Sequence, residues 1–281
     1  MNVYELVTER IMKKLEQGVI PWRQPWVNSS AAAVNWRTQK AYRGINAFLL
    51  EPGEYATLKQ INEAGGKVIK GSKGNIVVYW NWQEKEDKET GAIARIPFLR
   101  YYTVFNVLTQ AEGLESKRIT VNYEHTPIEE AECIINEYQN APKIRKVSGR
   151  AFYRSSEDII SVPPMEDYKI SEEYYSTLFH EMIHSTGHTS RIGRPGIIEA
   201  HFFGDETYSK EELIAELGAS MLCAQSRIDN QTIDNSASYI HSWLRALKDD
   251  KRLIITAASQ AQKAVDFILS STHDQEPVFE G

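Results

Sequence analysis

The sequence predicts an α+β protein in two parts: an N-terminal α+β part, then a mainly helical part with a small β-sheet. β-branched and aromatic residues concentrate between residues 65 and 105, whereas apolar residues recur at helical spacing through much of the chain after residue 126. Charge divides similarly, with 17 Lys and Arg against 12 Asp and Glu in residues 1–120, and 15 against 26 in residues 121–281. We therefore predict two domains, 1–118 and 119–281, with a turn-rich linker at 110–118.

The composition is that of a soluble globular protein, with 42% hydrophobic and 25% charged residues among 281. No apolar run approaches the roughly 20 residues that a membrane span needs, and the N-terminus lacks the apolar segment of a signal peptide. The two cysteines, Cys133 and Cys223, are too few for a disulfide framework, and we expect both to be buried free thiols. These features predict a cytoplasmic protein with no membrane partner.

In the N-terminal part, apolar residues recur at helical spacing from residue 2 to 17, and Gly18 can end that helix. A proline-stiffened loop follows at 21–26. Residues 76–80 have a clear strand pattern, and a second strand region covers 96–107. The charged residues 84–91 are expected to form a solvated hairpin loop between them.

Aromatic residues are interleaved with cationic and amide residues in this part, and a basic, glycine-broken loop covers 68–74. The mixture suits single-stranded nucleic acid, because unpaired bases stack on aromatic rings while cations follow the phosphates. The alternative is that the Trp residues belong to the core, where Trp is usually found. The candidate DNA-binding residues are Trp22, Arg23, Trp26, Arg37, Lys40, Tyr42, Arg43, Asn46, Lys70 and Lys73.

The C-terminal part opens with a helix that Pro127 can start and that runs to about residue 140. Residues 150–154 and 158–162 follow as a predicted hairpin, and an exposed strand there could hold an extended peptide by β-addition. Further elements are expected as helices around 171–188, from 209 onwards, at 236–247 and at 256–270, with a loop at 191–207.

The most informative run is HEMIH at residues 180–184. On a helix, His180 and His184 project from one face about one turn apart, where both imidazoles can bind a single Zn²⁺. Glu181 can then take a proton from the water that zinc has made acidic, which predicts hydrolysis, most often of a peptide bond. The alternative is a helix with two surface histidines. Helix signals around the motif are Ser171 as a cap, Glu172 and Glu173 in the first turn, and Gly187 after the last.

Three residues are candidates for the third metal ligand. His188 extends the histidine face but lies one turn beyond the motif. Glu212, on the next predicted helix, could bind the metal, with Glu216 orienting one histidine ring. Glu212 could equally close a capping box with Ser209 and merely satisfy a backbone amide. Glu211 is the third candidate, but it points to a different face of that helix.

Several motifs stand in a particular order: IPWRQPW at 20–26, YRGIN at 42–46, VFN at 104–106, HEMIH with TGH at 180–188, and EELIAELG at 211–218. This order resembles the ArdC-type anti-restriction proteins of plasmids and other mobile elements. The likeness covers nearly the whole chain.

The resemblance implies an N-terminal single-stranded-DNA-binding domain and a C-terminal zincin-like metallopeptidase domain. The family's downstream glutamate aligns with Glu212, which favours this residue over His188 as the third ligand of one Zn²⁺ per chain, in a gluzincin-like arrangement. The resemblance also implies protection of incoming DNA from host restriction enzymes during conjugation. Independently of the resemblance, we expect His188 beside the metal ligands, where it or Tyr153 could stabilise the oxyanion.

Two functions follow from these observations. In the first, the protein binds single-stranded DNA and hydrolyses an unidentified protein or peptide substrate at zinc. In the second, it shields DNA by coating it, and the metal site is structural or vestigial. A metal-dependent nuclease is a poorer match, because such enzymes favour carboxylate-rich sites for two metals.

Overall fold

The computed structural model describes residues 2–17, 20–22, 32–86, 93–118, 126–198, 206–228 and 237–270. They divide into two compact units. Unit one contains residues 2–10 and 32–118, and unit two contains 11–17, 20–22 and the described residues from 126 onwards. Unit one combines short helices with a four-stranded sheet, and unit two is mainly helical with a three-stranded sheet, so the predicted α+β class is confirmed. The domain limits predicted at 118 and 119 stay a prediction.

Unit one is built around a sheet of two long and two short strands. The strands of unit one are β1 (Ala33–Asn35), β2 (Gly53–Thr57), β3 (Lys67–Val68), β4 (Asn75–Glu86), β5 (Ile93–Asn106) and β6 (Ala111–Glu112). The sheet order is β1-β2-β5-β4, parallel between β1 and β2 and antiparallel elsewhere, and β3 pairs separately with β6. Residues 84–86, which were expected in a loop, continue β4 because they pair with β5.

The helices of unit one are short. They are α1 (Val3–Glu16), of which the residues up to Arg10 belong here, α2 (Ile45–Leu49), α3 (Leu58–Glu63) and α4 (Val107–Gln110). Apolar side chains of the sheet and of the segment after α2 form a buried cluster that includes Leu50, Tyr55, Val77 and Val104. Burial of such a cluster is the main source of stability in a unit of this size.

The stretch 110–118, expected to be a linker, instead packs onto unit one. Residues 111–112 form β6, the carbonyl of Glu115 accepts a hydrogen bond from the indole of Trp36, and the amide of Lys117 donates to Glu54. Lys117 also places its ammonium 3.7 Å from the centre of the Trp36 ring. Turn-forming residues predicted a linker here, but these backbone groups find partners within the unit.

Unit two carries a small sheet beside its helices. Its strands are β7 (Lys143–Lys146), β8 (Phe152–Arg154) and β9 (Ile159–Val162), in the order β7-β9-β8. β8 and β9 form the predicted antiparallel hairpin, whereas the parallel partner β7 was not predicted. All four residues of the central strand β9 are buried, and β8 is an edge strand of this sheet.

The helices of unit two are α5 (Pro127–Glu137), α6 (Ser171–Thr186), α7 (Pro195–Ile198), α8 (Glu206–Ser226), α9 (Ala237–Asp249) and α10 (Leu253–Ile268). Thr126 and Glu129 form a capping box at the start of α5. Ser171 does not cap α6, because it is already the first helical residue and Ile170 occupies the cap position. Helix α6 packs against α8, and α10 packs against both. The described helices include none long and apolar enough to cross a membrane.

The two cysteines lie in this unit as free thiols, but only Cys223 is buried; Cys133 is half-buried, contrary to the expectation for both. Trp243 is buried, as a core residue of α9 would be.

Candidate metal centre

Helix α6 places the two histidines of the motif side by side. The ring centres of His180 and His184 are 4.7 Å apart, and their Nε2 atoms are 3.1 Å apart. Both side chains are largely shielded, with 16% and 10% exposed. The spacing of four residues on one helix face, which predicted this arrangement, therefore directs one ring nitrogen of each histidine to the same point.

Helix α8 brings Glu212 to that point. Its Oε2 lies 3.5 Å from His180 Nε2, and its Oε1 lies 3.4 Å from His184 Nε2. Ligand atoms of these three residues all lie within 4.8 Å of one another, so they could hold a metal ion. The capping-box alternative fails, because α8 begins at Glu206 and Ser209 is already inside the helix.

The other ring nitrogen of each histidine faces a second carboxylate of α8. His180 Nδ1 lies 3.9 Å from Glu216 Oε1, which is longer than a hydrogen bond, so the orienting role of Glu216 stays a prediction. His184 Nδ1 lies 3.5 Å from Glu211 Oε1. Glu211 was expected on a different helix face, and it is indeed directed away from the ligand atoms, but towards the far side of His184.

Glu211 is itself held by a buried arginine. Arg194 is 4% exposed and donates from Nε to Glu211 Oε2 at 3.0 Å, while its Nη2 bonds the other carboxylate oxygen. Nη2 also donates to the carbonyl of Ile183 at 2.7 Å, and Nη1 donates to the hydroxyl of Thr186. Sequence reasoning missed Arg194, because it follows the helix in a stretch expected to be a loop and carries no spacing signal.

The carboxylates make this cluster strongly attractive to positive charge. Burial alone would lower the pKa of His184, but the carboxylates of Glu211 and Glu212 outweigh this and raise it to about 10. Burial would likewise lower the pKa of His180, but this pKa is raised, chiefly by the carboxylate of Glu212. Although its own burial would raise it, the pKa of Glu212 is held well below its usual range by the two histidines.

The donor set fits a metal ion. Two protonated rings would repel each other with nitrogen atoms 3.1 Å apart. A single cation bound by both nitrogen atoms and by Glu212 would satisfy the carboxylates without a proton on each of these atoms. Two imidazoles and one carboxylate are also the ligands of known catalytic zinc sites, where a fourth position stays open.

Glu181 lies on the same helix, directly after the first histidine, and is 7% exposed. Its charge contributes to the raised pKa of His180 and His184, so it lies within electrostatic range of both. This is the position from which a general base could serve a water molecule bound near the three ligands.

His188 is not part of the three-residue cluster, because α6 ends at Thr186 and the chain turns there. Its Nδ1 instead lies 2.8 Å from the hydroxyl of Ser190. The hydroxyl of Tyr153 donates to Asp158 at 2.8 Å and accepts from Arg191. Burial first, and Asp158 second, raise the pKa of Tyr153, which keeps this hydroxyl neutral.

Two of the residues predicted to bind DNA are core residues. Trp22 is 0% exposed and packs edge-on against Trp243, with ring centres 5.2 Å apart. The side chain of Asn46 is buried and forms two hydrogen bonds with the backbone of Val78, at 2.7 and 2.8 Å. Burial removes the Trp22 ring from the surface on which a base could stack, and the Asn46 amide has its partners within the fold.

The remaining DNA candidates differ in exposure. Arg37 is exposed and paired with Glu63 at 2.9 Å. Tyr42 and Arg43 are half-buried. The exposed lysines of the set are Lys40, Lys70 and Lys73. Arg23 and Trp26 lie outside the described residues.

Sequence reasoning passed over two exposed aromatic residues of unit one. Trp80 is 43% exposed and Tyr101 is 50% exposed. In the β4–β5 ladder Trp80 pairs with Leu99 and Tyr101 pairs with Val78. Cross-strand partners share a face and residues two apart share it too, so both aromatic rings are on the same face, at diagonal positions. No sequence signal identifies this pair, because its placement depends on the register of β4 against β5.

Two family models match the chain. The model described as the N-terminal domain of anti-restriction factor ArdC matches residues 1–105. The model described as a zincin-like metallopeptidase matches residues 129–260. The second match contains all three candidate ligands.

Solved structures of the antirestriction protein ArdC from plasmid R388 are similar to this chain. The metal-free structure is 37% identical, covers 96% of this chain and 97% of its own, and superposes with a TM-score of 0.77. A Mn(II)-bound structure of the same protein gives a TM-score of 0.78 at the same identity, with 96% and 98% covered.

Curated relatives are similar over almost the whole chain. A protein of Sinorhizobium fredii, y4eC, is 32% identical over 98% of this chain and 94% of its own length. DNA primase TraC of Escherichia coli is 34% identical over 97% of this chain. The chain spans only 20% of that primase, so the matched region is one part of a much longer protein.

Proposed function

Because the chain belongs to the ArdC family of antirestriction proteins, we propose that it binds single-stranded DNA through unit one and hydrolyses peptide bonds at a zinc site in unit two. The zincin-like domain and the antirestriction family are established by the similarities above. DNA binding, zinc and peptide hydrolysis are our proposals. Protection of incoming mobile-element DNA from host restriction enzymes would be the outcome.

The observation that carries the proposal is the cluster of His180, His184 and Glu212, whose ligand atoms lie within 4.8 Å of one another. The R388 relative was solved with Mn(II), which supports a divalent ion. Two imidazoles with one carboxylate are ligands that suit zinc. A divalent metal at such a site supplies a Lewis acid that makes water a nucleophile near neutral pH.

Glu181 would be the general base. Its carboxylate follows His180 on the same helix, so it can accept the proton of the attacking water and pass it to the leaving amine. Glu212 and the two histidines would hold their positions, because α6 and α8 pack directly against each other. The edge strand β8 contacts α6 and could hold an extended peptide by β-addition.

The first test is metal content. After zinc is supplied and excess removed, mass spectrometry of the wild type should give about one zinc per chain, and the Glu212→Ala variant should lose most of it. A wild type without zinc, or a variant that retains it fully, would contradict the proposed site.

The second test separates hydrolysis from metal binding. Glu181→Gln should keep the metal and lose peptide cleavage by at least the roughly 10²–10⁴-fold that general base catalysis contributes. A cleavage rate equal to wild type would remove the mechanism.

A second candidate function is DNA coating without proteolysis. The exposed pair Trp80 and Tyr101 favours it, because these rings could stack on bases without any contribution from the metal site. Glu181→Gln distinguishes the two functions in a restriction-protection assay. Full protection by this variant would support coating, whereas loss of protection with retained DNA binding would support the peptidase.

A further inference from the structure

We propose that Arg194 and Glu211 act as a positioning pair that fixes the ring of His184 for metal binding. The inference rests on the proposed metal site and assigns a role to two residues that take no part in the ligand set. Neither residue touches the reacting atoms, so the pair would act through His184 alone.

The orientation of the His184 ring is the first argument. Its Nε2 faces His180 and Glu212, whereas its Nδ1 faces Glu211 at 3.5 Å. Within the described residues this buried Nδ1 has no hydrogen-bond partner. Hydrogen bonds between N–H and oxygen span about 2.7–3.2 Å, so a shift of about 0.5 Å would complete one to Glu211.

That hydrogen bond would determine which nitrogen binds the metal. When Nδ1–H donates to a carboxylate, the proton stays on Nδ1 and the lone pair of Nε2 is free for the ion. Metal-ligating histidines are commonly held in this way by a carboxylate on the other ring nitrogen. Glu211 is the carboxylate in that position.

The second argument is that Arg194 binds both the carboxylate of Glu211 and the backbone of α6 beside His184. It binds both oxygen atoms of Glu211, which keeps a buried carboxylate ionised and fixes its plane. It also donates to the carbonyl of Ile183, in the same turn of α6 as His184. The backbone of the histidine and the acceptor of its ring are therefore tied to one guanidinium.

The surrounding glycines leave room for the pair. A Cβ atom at Gly196 would lie 3.1 Å from Cβ and 3.2 Å from Oε2 of Glu211. A Cβ atom at Gly187 would lie 3.2 Å from Nη2 of Arg194 and 2.6 Å from Ile197. A side chain at either glycine would therefore require Glu211 or Arg194 to shift by a few tenths of an ångström.

The same helix end offers a matched control. Arg191 donates from Nε to the carbonyl of Ser185 at 2.7 Å and pairs with Asp158, much as Arg194 pairs with Glu211. The two pairs stabilise the same end of α6, but the only one that faces His180 or His184 is Arg194–Glu211. Asp158→Asn therefore reports what is lost when this helix end is weakened without any change beside a metal ligand.

The experiment measures metal affinity of the full chain by competition with a chromogenic chelator, for Zn²⁺ and for Mn²⁺. The variants are Glu211→Gln, Arg194→Met and Asp158→Asn. We expect Glu211→Gln and Arg194→Met each to weaken binding by roughly 10- to 100-fold, and Asp158→Asn to stay within about twofold of wild type. Circular dichroism of each metal-free variant checks that it is folded.

Arg194→Met separates positioning from simple electrostatics. Removing a positive charge near a cation site would strengthen metal binding if charge alone mattered. Positioning predicts the opposite sign. If Arg194→Met fails to fold, Glu211→Gln decides, together with nitrogen NMR of His184 in the zinc-loaded wild type, where the proton is expected on Nδ1.

Unchanged or tighter binding in Arg194→Met would overturn the inference, as would unchanged binding in Glu211→Gln or equal weakening in Asp158→Asn. A proton on Nε2 of His184 in the loaded wild type would overturn it too. In all these cases wild-type metal binding, and with it the proposed function, would stand. A wild type that binds neither metal would overturn both.

Discussion

Gly218 of α8 lies directly against the side chain of Ile183 in α6. A Cβ atom at Gly218 would be 2.7 Å from Cδ1 and 2.8 Å from Cγ1 of Ile183, closer than real Cβ contacts allow. Ile183 is 0% exposed and immediately precedes His184. The glycine therefore permits the close approach of the two helices that brings the glutamates of α8 to the histidines of α6.

Gly218→Ala should destabilise unit two despite a better helix propensity. Alanine is worth about 0.8–1.0 kcal/mol more than glycine within a helix. Overpacking a core costs roughly 1–3 kcal/mol, and Ile183 is β-branched and fully buried, so it cannot turn aside. We expect a net loss of up to about 2 kcal/mol in the free energy of unfolding, measured by urea denaturation.

Ile183→Val supplies the control for this prediction, because it removes the Cδ1 atom that comes closest. In that background Gly218→Ala should cost less than in the wild type, which a double-mutant cycle would detect as coupling. A Gly218→Ala variant more stable than wild type would show that the helices separate freely at this position.

The candidate ligands could be predicted from sequence because they depend on the geometry of a single helix. Two histidines four residues apart share a face wherever the helix lies. Glu212 needed the family resemblance, since spacing alone could not exclude a cap. Arg194 could not be predicted, because its role depends on how the chain folds back after α6. The spacing of residues in the sequence does not predict the path of such a loop.

The secondary structure was predictable to a similar degree, and for the same reason. The helices α5, α6, α9 and α10 follow local apolar patterns, and each was expected within a few residues of its observed limits. Strand β4, by contrast, runs to Glu86 although its strand pattern ended at residue 80, and α7 lies in a stretch that was expected to be a loop. Strand β7 was missed, because KIRK at 143–146 is mostly polar and is in a strand only through its pairing with β9. Burial of Trp22 was likewise invisible in the sequence, since Trp suits both a core and a stacking surface.

Gly196→Ala should weaken metal binding without touching a ligand. Its Cβ would press on Cβ and Oε2 of Glu211, at 3.1 and 3.2 Å, so Glu211 must move by a few tenths of an ångström. We expect the metal dissociation constant to rise several-fold, by less than the roughly 10-fold lower limit expected for Glu211→Gln. Ile198→Ala, at an exposed position of the same short helix, is the control. Equal effects of the two substitutions would attribute the change to α7 as a whole.

The Asp158–Arg191 pair should make stability depend on pH. Burial would raise the pKa of Asp158, but Arg191 and Tyr153 outweigh this and lower it. A carboxylate with a lowered folded pKa stabilises the fold above its unfolded pKa of about 3.9, and this contribution is lost as the pH falls towards the folded value. At pH 7 the Asp158→Asn variant should be less stable than wild type by about 1–3 kcal/mol.

The measurement is urea denaturation of both proteins at pH 7 and pH 3. Because the asparagine does not titrate, the gap between them should shrink at pH 3. Asp158 has a positive φ of 47°, which asparagine tolerates, so the substitution should not strain the turn. A gap of the same size at both values would mean that the carboxylate charge contributes nothing.

The exposed ring of Tyr101 should contribute to single-stranded DNA binding. Each base stacked on an aromatic ring is worth roughly 1–3 kcal/mol, so Tyr101→Ala should weaken binding of an oligothymidine by roughly 5- to 150-fold, measured by fluorescence anisotropy. Leu108→Ala is the control, because Leu108 is 65% exposed in the same unit but has no ring. Trp80 is a less clean target, since Tyr4 packs against its ring at 6.4 Å.

Trp22→Phe should change stability and leave DNA affinity unaltered, which is the opposite of the result expected for Tyr101→Ala. Its ring is fully buried against Trp243, so the substitution should lower the free energy of unfolding while the DNA affinity of the folded protein stays within about twofold. If Tyr101→Ala bound like wild type while Trp22→Phe lost affinity without losing stability, the bases would stack around the IPWRQPW motif at 20–26 and away from the β4–β5 strands. Loss of affinity in Tyr101→Ala alone would place base stacking on those strands, at a site that depends on the register of β4 against β5.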